Sequence, residues 1–153
     1  MALKEGDKAP AFTVKDQNGN TVSLKDFKGQ KVALYFYPED DTETCTIEAC
    51  NLRDNFAELK SKGVVILGVS PDTEKSHKKF EKKYALPFTI LVDTDKKLLN
   101  AYGVWAEKSM FGRTYMGTLR HTFLIDEKGK IAHIIDKVKS KEHSKQIMEI
   151  WGL

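Results

Sequence analysis

The 153-residue sequence predicts an α/β domain: a mixed central sheet flanked by helices, with a β-hairpin extension at the N-terminal side. Three observations carry this expectation. Short apolar runs rich in β-branched and aromatic residues, "KVALYFY", "VVILGV" and "FTILVD", recur along the chain as buried strands do. Segments of helical periodicity separate them, which calls for parallel pairing with right-handed crossovers. The last two strand-like runs, "HTFLID" and "KIAHIID", are joined only by "EKGK" and should pair antiparallel.

The elements follow in order. "AFTV" and "TVSL" flank "KDQNGN", whose Asn-Gly step suits a hairpin turn. The run at 31–37 is a strand covered on both faces. After the turn "PEDD", residues 44–61 read as one helix, because Cys45, Ala49, Leu52, Phe56 and Leu59 draw a single apolar stripe. Gly63 closes it. A strand at 64–69, a charged helix begun near Pro71, a strand at 88–93 and a short helix closed by Gly103 come next. "EKSMFGRTYMGTLR" reads as a polar, glycine-punctuated loop, and no exposed apolar patch is legible. The final helix presents Ile147, Met148, Ile150 and Trp151 as its apolar face.

Composition narrows the function classes. Hydrophobic residues make up 41% and charged residues 31%, an ordinary globular balance for one domain spanning 1–153. Nothing approaches the roughly 20 apolar residues needed to cross a bilayer. "MALKEGDKAPAF" contains no apolar signal core, so the expected location is cytoplasmic. The net charge is +3, and the lysines interleave with acids, as in "DTEKSHKKFEKK". That pattern describes a solvated helix face rather than a nucleic-acid surface. His77, His121, His133 and His143 have no ligand spacing with the cysteines, so no metal is expected. A monomer is the default assembly.

The chemistry concentrates in "YPEDDTETCTIEAC", which holds both cysteines, Cys45 and Cys50. Two cysteines in a cytosolic chain of this size suggest catalysis or redox sensing more than a structural bridge. Cys45 falls in the first turn of a helix, where the dipole and free N–H groups favour the thiolate, the nucleophilic form. Glu39, Asp40, Asp41, Glu43 and Glu48 crowd it in sequence and oppose that effect. A cation must therefore come from elsewhere. Arg53, Arg113 and Arg120 are the only arginines, and Arg120 stands at the mouth of a strand. In a helix, residues five apart lie ~8.5 Å apart between Cα atoms. A disulfide needs less than ~7 Å. Cys45 and Cys50 can therefore join only if the helix start unwinds; otherwise they are separate thiols.

At these residues the sequence resembles the peroxiredoxins, in the bacterioferritin-comigratory-protein or PrxQ branch. The likeness runs from "GDKAPAFTVKDQNGNTVSLKDFKGQKVALYFYP" through "CTIEAC" to "GTLRHTFLIDEKGKI". Pro38, Thr42 and Cys45 meet the family's Pro-x-x-x-Thr-x-x-Cys signature, and Arg120 matches its later arginine. The resemblance implies a thioredoxin-like fold and a thiol peroxidase reducing hydrogen peroxide and organic hydroperoxides without metal, haem or flavin. By the same implication Cys45 is the peroxidatic nucleophile and Pro38 shields it. Thr42 bonds the thiolate or peroxide, and Arg120 stabilises developing charge. Cys50 resolves the sulfenic acid as an intramolecular disulfide, which thioredoxin or a similar dithiol protein reduces. Dimers occur among relatives.

One departure stands out. The branch commonly reads Thr-Pro-Gly-Cys where this chain reads "TETC", so Glu43 replaces a helix-starting proline and adds negative charge. Lower reactivity at Cys45 than in a proline-bearing relative is expected. Two other classes compete. A thioredoxin-like disulfide oxidoreductase needs Cys-x-x-Cys, whereas four residues separate these thiols. A non-enzymatic redox sensor would use the same chemistry without turnover.

Overall fold

A computed structural model describes residues 3–153; Met1 and Ala2 lie outside the described residues. β1 (Thr13–Lys15) and β2 (Thr21–Ser23) form the expected antiparallel hairpin. Asp16 shapes its turn by accepting the Asn18 and Asn20 amides through Oδ1. The core of the molecule is a five-stranded mixed sheet ordered β5-β4-β3-β8-β9. Its parallel part joins β3 (Lys31–Phe36), β4 (Val64–Ser70) and β5 (Thr89–Val92). β8 (Thr122–Ile125) adds antiparallel to β3, and β9 (Ile131–Ile135) antiparallel to β8. The sequence expectation of early parallel and late antiparallel pairing holds, and so does the helix-flanked mixed sheet.

Period-two alternation along β3 builds the two halves of the core. Ala33 and Tyr35, with Tyr37 just beyond, face one cluster with Cys45, Ala49, Leu52 and Leu59. Val32, Leu34 and Phe36 face the other, with Leu98, Leu99 and Tyr102. α1 (Glu43–Asp54), α2 (Phe56–Ser61), α3 (Glu74–Tyr84) and α5 (His143–Trp151) contribute to the first cluster, and α4 (Lys97–Ala101) to the second. Asp93 starts α4 by accepting the amides of Leu98 and Leu99 through its two carboxylate oxygens. No described helix is long and apolar enough to cross a membrane.

Three expectations are corrected. The helix expected over 44–61 breaks at Asn55 (φ −114°, ψ 13°) into α1 and α2. The Asn55 side chain bonds the Asn51 carbonyl and so competes with the backbone ladder, as asparagine tends to. The segment expected as a polar loop is a hairpin of β6 (Trp105–Met110) and β7 (Arg113–Thr118). Phe111 and Gly112 both take positive φ, the backbone a two-residue hairpin turn requires. It carries an exposed apolar patch, Met110, Phe111, Tyr115 and Met116, with Phe111 96% exposed. Finally, α5 buries His143, Ser144 and Ile147, while Ile150 faces out. Asn51 and Thr122 supply hydrogen-bond partners that draw the polar first turn inward.

Gly68 pairs with Tyr35 across β4 and β3, and a Cβ there would sit 3.0 Å from the Tyr35 ring. Gly68→Ala should therefore destabilise the reduced protein by ~1–3 kcal/mol, the usual cost of overpacking. A denaturant midpoint unchanged from wild type would contradict that packing argument.

Candidate active site

The loop leaving the carboxyl end of β3 turns directly into α1, so the first turn of α1 stands at the open end of the central strand. Cys45 occupies that turn and is 1% exposed. Arg120 precedes β8. Because β8 runs antiparallel to β3, the start of β8 lies beside the end of β3, and the Phe36 amide donates to the His121 carbonyl at 2.8 Å. This strand end aims the guanidinium at the helix start. Arg120 Nη2–H donates to Cys45 Sγ at 3.2 Å, and Nη1–H donates to Glu48 Oε1 at 2.7 Å. Glu48 lies three residues after Cys45, on the same face of α1, and is fully buried.

The other two arginines do not reach the thiol. Arg53 bonds Asp54 and the Tyr84 carbonyl, and Arg113 sits in the exposed β6–β7 hairpin. The acids that crowd Cys45 in sequence are dispersed in space. Asp41 pairs with Lys83 and Tyr84, and these bonds hold its carboxyl below the ordinary range. Asp40 turns inward to Tyr37, Ser76 and His77. Glu39 and Glu43 are exposed to solvent, and Glu48 is matched by Arg120.

Behind the thiol lies a buried polar cluster that sequence reasoning did not assemble. Burial lowers the Arg120 pKa, but the Glu48 carboxylate and the Cys45 sulfur outweigh it and raise it overall, so Arg120 stays a guanidinium. Burial raises Glu48 to about 7 against the opposing pull of Arg120. Burial likewise lowers His143 to about 4, so its ring is neutral. The Gln146 amide donates through Nε2 to the Lys137 carbonyl, leaving Oε1 to accept from His143 Nδ1–H. His143 Nε2 then accepts from the Thr122 hydroxyl at 2.8 Å. Glu48 Oε2 is 3.6 Å from that nitrogen, too far for a hydrogen bond, and has no partner among the described residues; nor has Tyr35 Oη. Glu48 was legible as a neighbour of Cys45 one turn on. His143, Thr122 and Tyr35 carried no local signal, since three separate elements bring them together.

The remaining sequence candidates are placed as follows. Pro38 is half-buried just after β3. Thr42 is the residue before the first turn of α1, but its hydroxyl donates to the Glu39 carbonyl and makes no cap bond. It therefore does not point its hydroxyl at Cys45 in this reduced form. Cys50 is half-buried, not a core thiol, and both thiols are free on one continuous helix. Asp40, Asp72 and His77 converge closely enough to suggest cation ligands, yet hydrogen bonds already occupy the converging atoms: His77 with Asp40, and Asp72 with the Asp40 amide and the Ser70 hydroxyl.

The family model described as AhpC/TSA family matches residues 5–134. The chain belongs to that family. It is 49% identical to the peroxiredoxin Bcp of Escherichia coli K12 over 141 residues, 92% of this chain and 90% of that one. The fold matches a PrxQ of Xylella fastidiosa at a TM-score of 0.93 and 27% identity, over 99% of this chain and 97% of that one. It also matches the bacterioferritin comigratory protein of Xanthomonas campestris, studied for alkyl peroxide reduction, at a TM-score of 0.89 and 30% identity. That match covers 97% of this chain and 98% of the other. The chain is thus a peroxiredoxin, a thiol peroxidase of thioredoxin-like fold.

The raised Glu48 value sets a pH dependence of stability. A carboxyl raised in the folded state from 4.5 to about 7 holds a proton that the unfolded chain releases. Its contribution is complete below about pH 4.5 and is lost as pH rises to about 7. Glu48→Gln should remove that slope. Denaturant unfolding of reduced protein should show the wild type losing up to ~3 kcal/mol relative to the variant across this window. A pH-independent difference would contradict the assignment.

Proposed function

We propose that Cys45 is the peroxidatic cysteine, Cys50 the resolving cysteine and Arg120 the electrostatic catalyst. The observation that carries this reading is the Arg120 guanidinium, 3.2 Å from a buried thiol at a helix N-terminus and held from its other side by a buried carboxyl. The Cys45 thiolate attacks the terminal oxygen of a hydroperoxide. The O–O bond breaks, the sulfur is oxidised to the sulfenic acid, and the leaving alkoxide takes a proton to become an alcohol, or water from hydrogen peroxide. Arg120 donates to the sulfur and to the charge gathering on the peroxide oxygens, a preorganised electrostatic role. Pro38 excludes water, and the Thr42 hydroxyl is turned from Glu39 to the substrate.

The Cys50 thiol then displaces the sulfenic oxygen as water and forms the Cys45–Cys50 disulfide. A dithiol protein such as thioredoxin restores both thiols by exchange. Helical spacing requires the first turns of α1 to unwind for that bond. The chain would act as a monomer of one domain, 1–153, in the reducing cytoplasm.

Peroxide consumption with thioredoxin, its reductase and NADPH tests the scheme. Cys45→Ser should be inactive. Cys50→Ser should keep its first oxidation, lose efficient recycling and hold a sulfenic acid, whereas the wild type loses two hydrogens by mass. Turnover by Cys45→Ser would remove the central claim. Arg120→Met should slow the first oxidation by about 10²-fold or more, while similar rates would deny the arginine its role.

Glu43 is the first helical residue of α1, where proline fits without loss of a needed N–H. Glu43→Pro should therefore raise the rate constant for Cys45 oxidation by stopped flow. Equal constants would show that the glutamate is neutral to reactivity.

A further inference from the structure

His77 of α3 is fully buried, and both ring nitrogens face acceptors. Nε2 lies 2.9 Å from the Leu91 carbonyl oxygen of β5, and Nδ1 lies 2.7 Å from Asp40 Oδ2. A backbone carbonyl cannot donate, so Nε2 carries a hydrogen. The Nδ1···Oδ2 contact then needs a second proton. Donors around Asp40 favour its ionised form: the Tyr37 hydroxyl at 2.5 Å on Oδ1, and the Ser76 hydroxyl at 2.8 Å on Oδ2. Asp72, in the segment between β4 and α3, adds a second carboxylate. Its Oδ2 accepts from the Asp40 amide and from the Ser70 hydroxyl of β4, both at 2.7 Å. The two groups hydrogen-bonded to the ring and the carboxylate beside them are therefore all acceptors. The arrangement describes an imidazolium between the Asp40 carboxylate and the Leu91 carbonyl, with the Asp72 carboxylate within 4.8 Å.

This cluster lies under the loop at 38–42, which carries Pro38 and Thr42 into α1. α3 holds the loop at two points. One is the exposed pairing of Asp41, whose φ of +60° is strained for a residue with a side chain, with Lys83 and Tyr84. The other is the buried Asp40–His77 contact. Exposed pairs hold little, whereas losing one partner of a buried pair leaves an uncompensated charge. We propose that His77 is a positioning residue for the peroxide step: as an imidazolium it moors Asp40, and through Asp40 holds the loop closed against the start of α1.

The inference rests on the two-step cycle proposed above, and its test separates the two ideas. In reduced, full-length wild type, 15N NMR should find both ring nitrogens of His77 protonated at neutral pH. One unprotonated nitrogen would overturn the proposal. Independently of activity, His77→Leu should speed hydrogen exchange in the 38–45 peptide by about tenfold or more, while His77→Asn, which keeps an N–H toward Asp40, stays within about threefold. In single turnovers, His77→Leu should slow Cys45 oxidation about tenfold without slowing the later step to the disulfide. Equal slowing of both steps, or unchanged exchange, would leave His77 a structural residue only. Should His77→Leu not fold, Asp40→Asn carries the same comparison. Titration with manganese(II) that binds to wild type and not to His77→Asn would overturn the proposal in favour of a cation site. If the wild type forms no disulfide, the cycle fails while ring protonation and exchange still decide the mooring.

Discussion

One guanidinium shared between a thiol and a buried carboxyl organises this site. Arg120 is the cation that Cys45 lacks in its own segment, and Glu48 fixes where that cation points. Neither contact stands without the sheet. β8 must run antiparallel beside β3 for residue 120 to arrive at the start of α1, and β3 must be buried on both faces for its end to be rigid. The cost is a carboxyl held in the interior with one oxygen unpartnered among the described residues. Burial pushes that carboxyl toward its neutral form, while the arginine pulls it toward the charged one.

The acidic run before Cys45 illustrates how tertiary structure revises local electrostatics. Read as a string, five carboxylates oppose a thiolate. Folded, Asp41 is drawn to Lys83, Asp40 to the α3 cluster, and Glu48 to Arg120. Glu39 and Glu43 are exposed without an ion-pair partner among the described residues, and water screens them. The run thereby serves as an anchor between the loop and α3 rather than as a repulsive field on Cys45.

The architecture was largely legible because period-two and period-3.6 patterns are local. The strands at 31–37, 64–69 and 88–93 and their parallel order followed from them. The hairpin of β6 and β7 is hard to read from sequence because its glycines and charges resemble a loop, whereas the antiparallel pairing and the turn backbone at Phe111 and Gly112 set it apart. The break at Asn55 was hidden because the apolar stripe continues across it. At the site, Cys45, Arg120 and the neighbourhood of Glu48 could be reached from sequence. His143, Thr122, Tyr35 and the His77–Asp40 contact could not, since their meaning comes from long-range packing of groups that look ordinary alone.

The two halves of α1 are held by different kinds of contact, and this bears on how chemistry could trigger unwinding. Its later part is fixed by the buried Leu52 and by Asn51, which bonds the Lys141 carbonyl and the Ser144 amide at the start of α5. Its first turn is fixed by the Arg120 bond to the Cys45 sulfur and by the loop before it. In the proposed cycle, oxidation turns an anionic sulfur into a neutral sulfenic acid. A charge-assisted bond is about twice as strong as a neutral one, so that tether weakens when the reaction occurs. Arg120 then keeps its hydrogen bond to Glu48. The anchors on Asn51 and Leu52 are untouched. The helix thus loses its hold at the end where Cys45 sits and retains it around Cys50, which is the asymmetry an intrahelical disulfide across five residues demands.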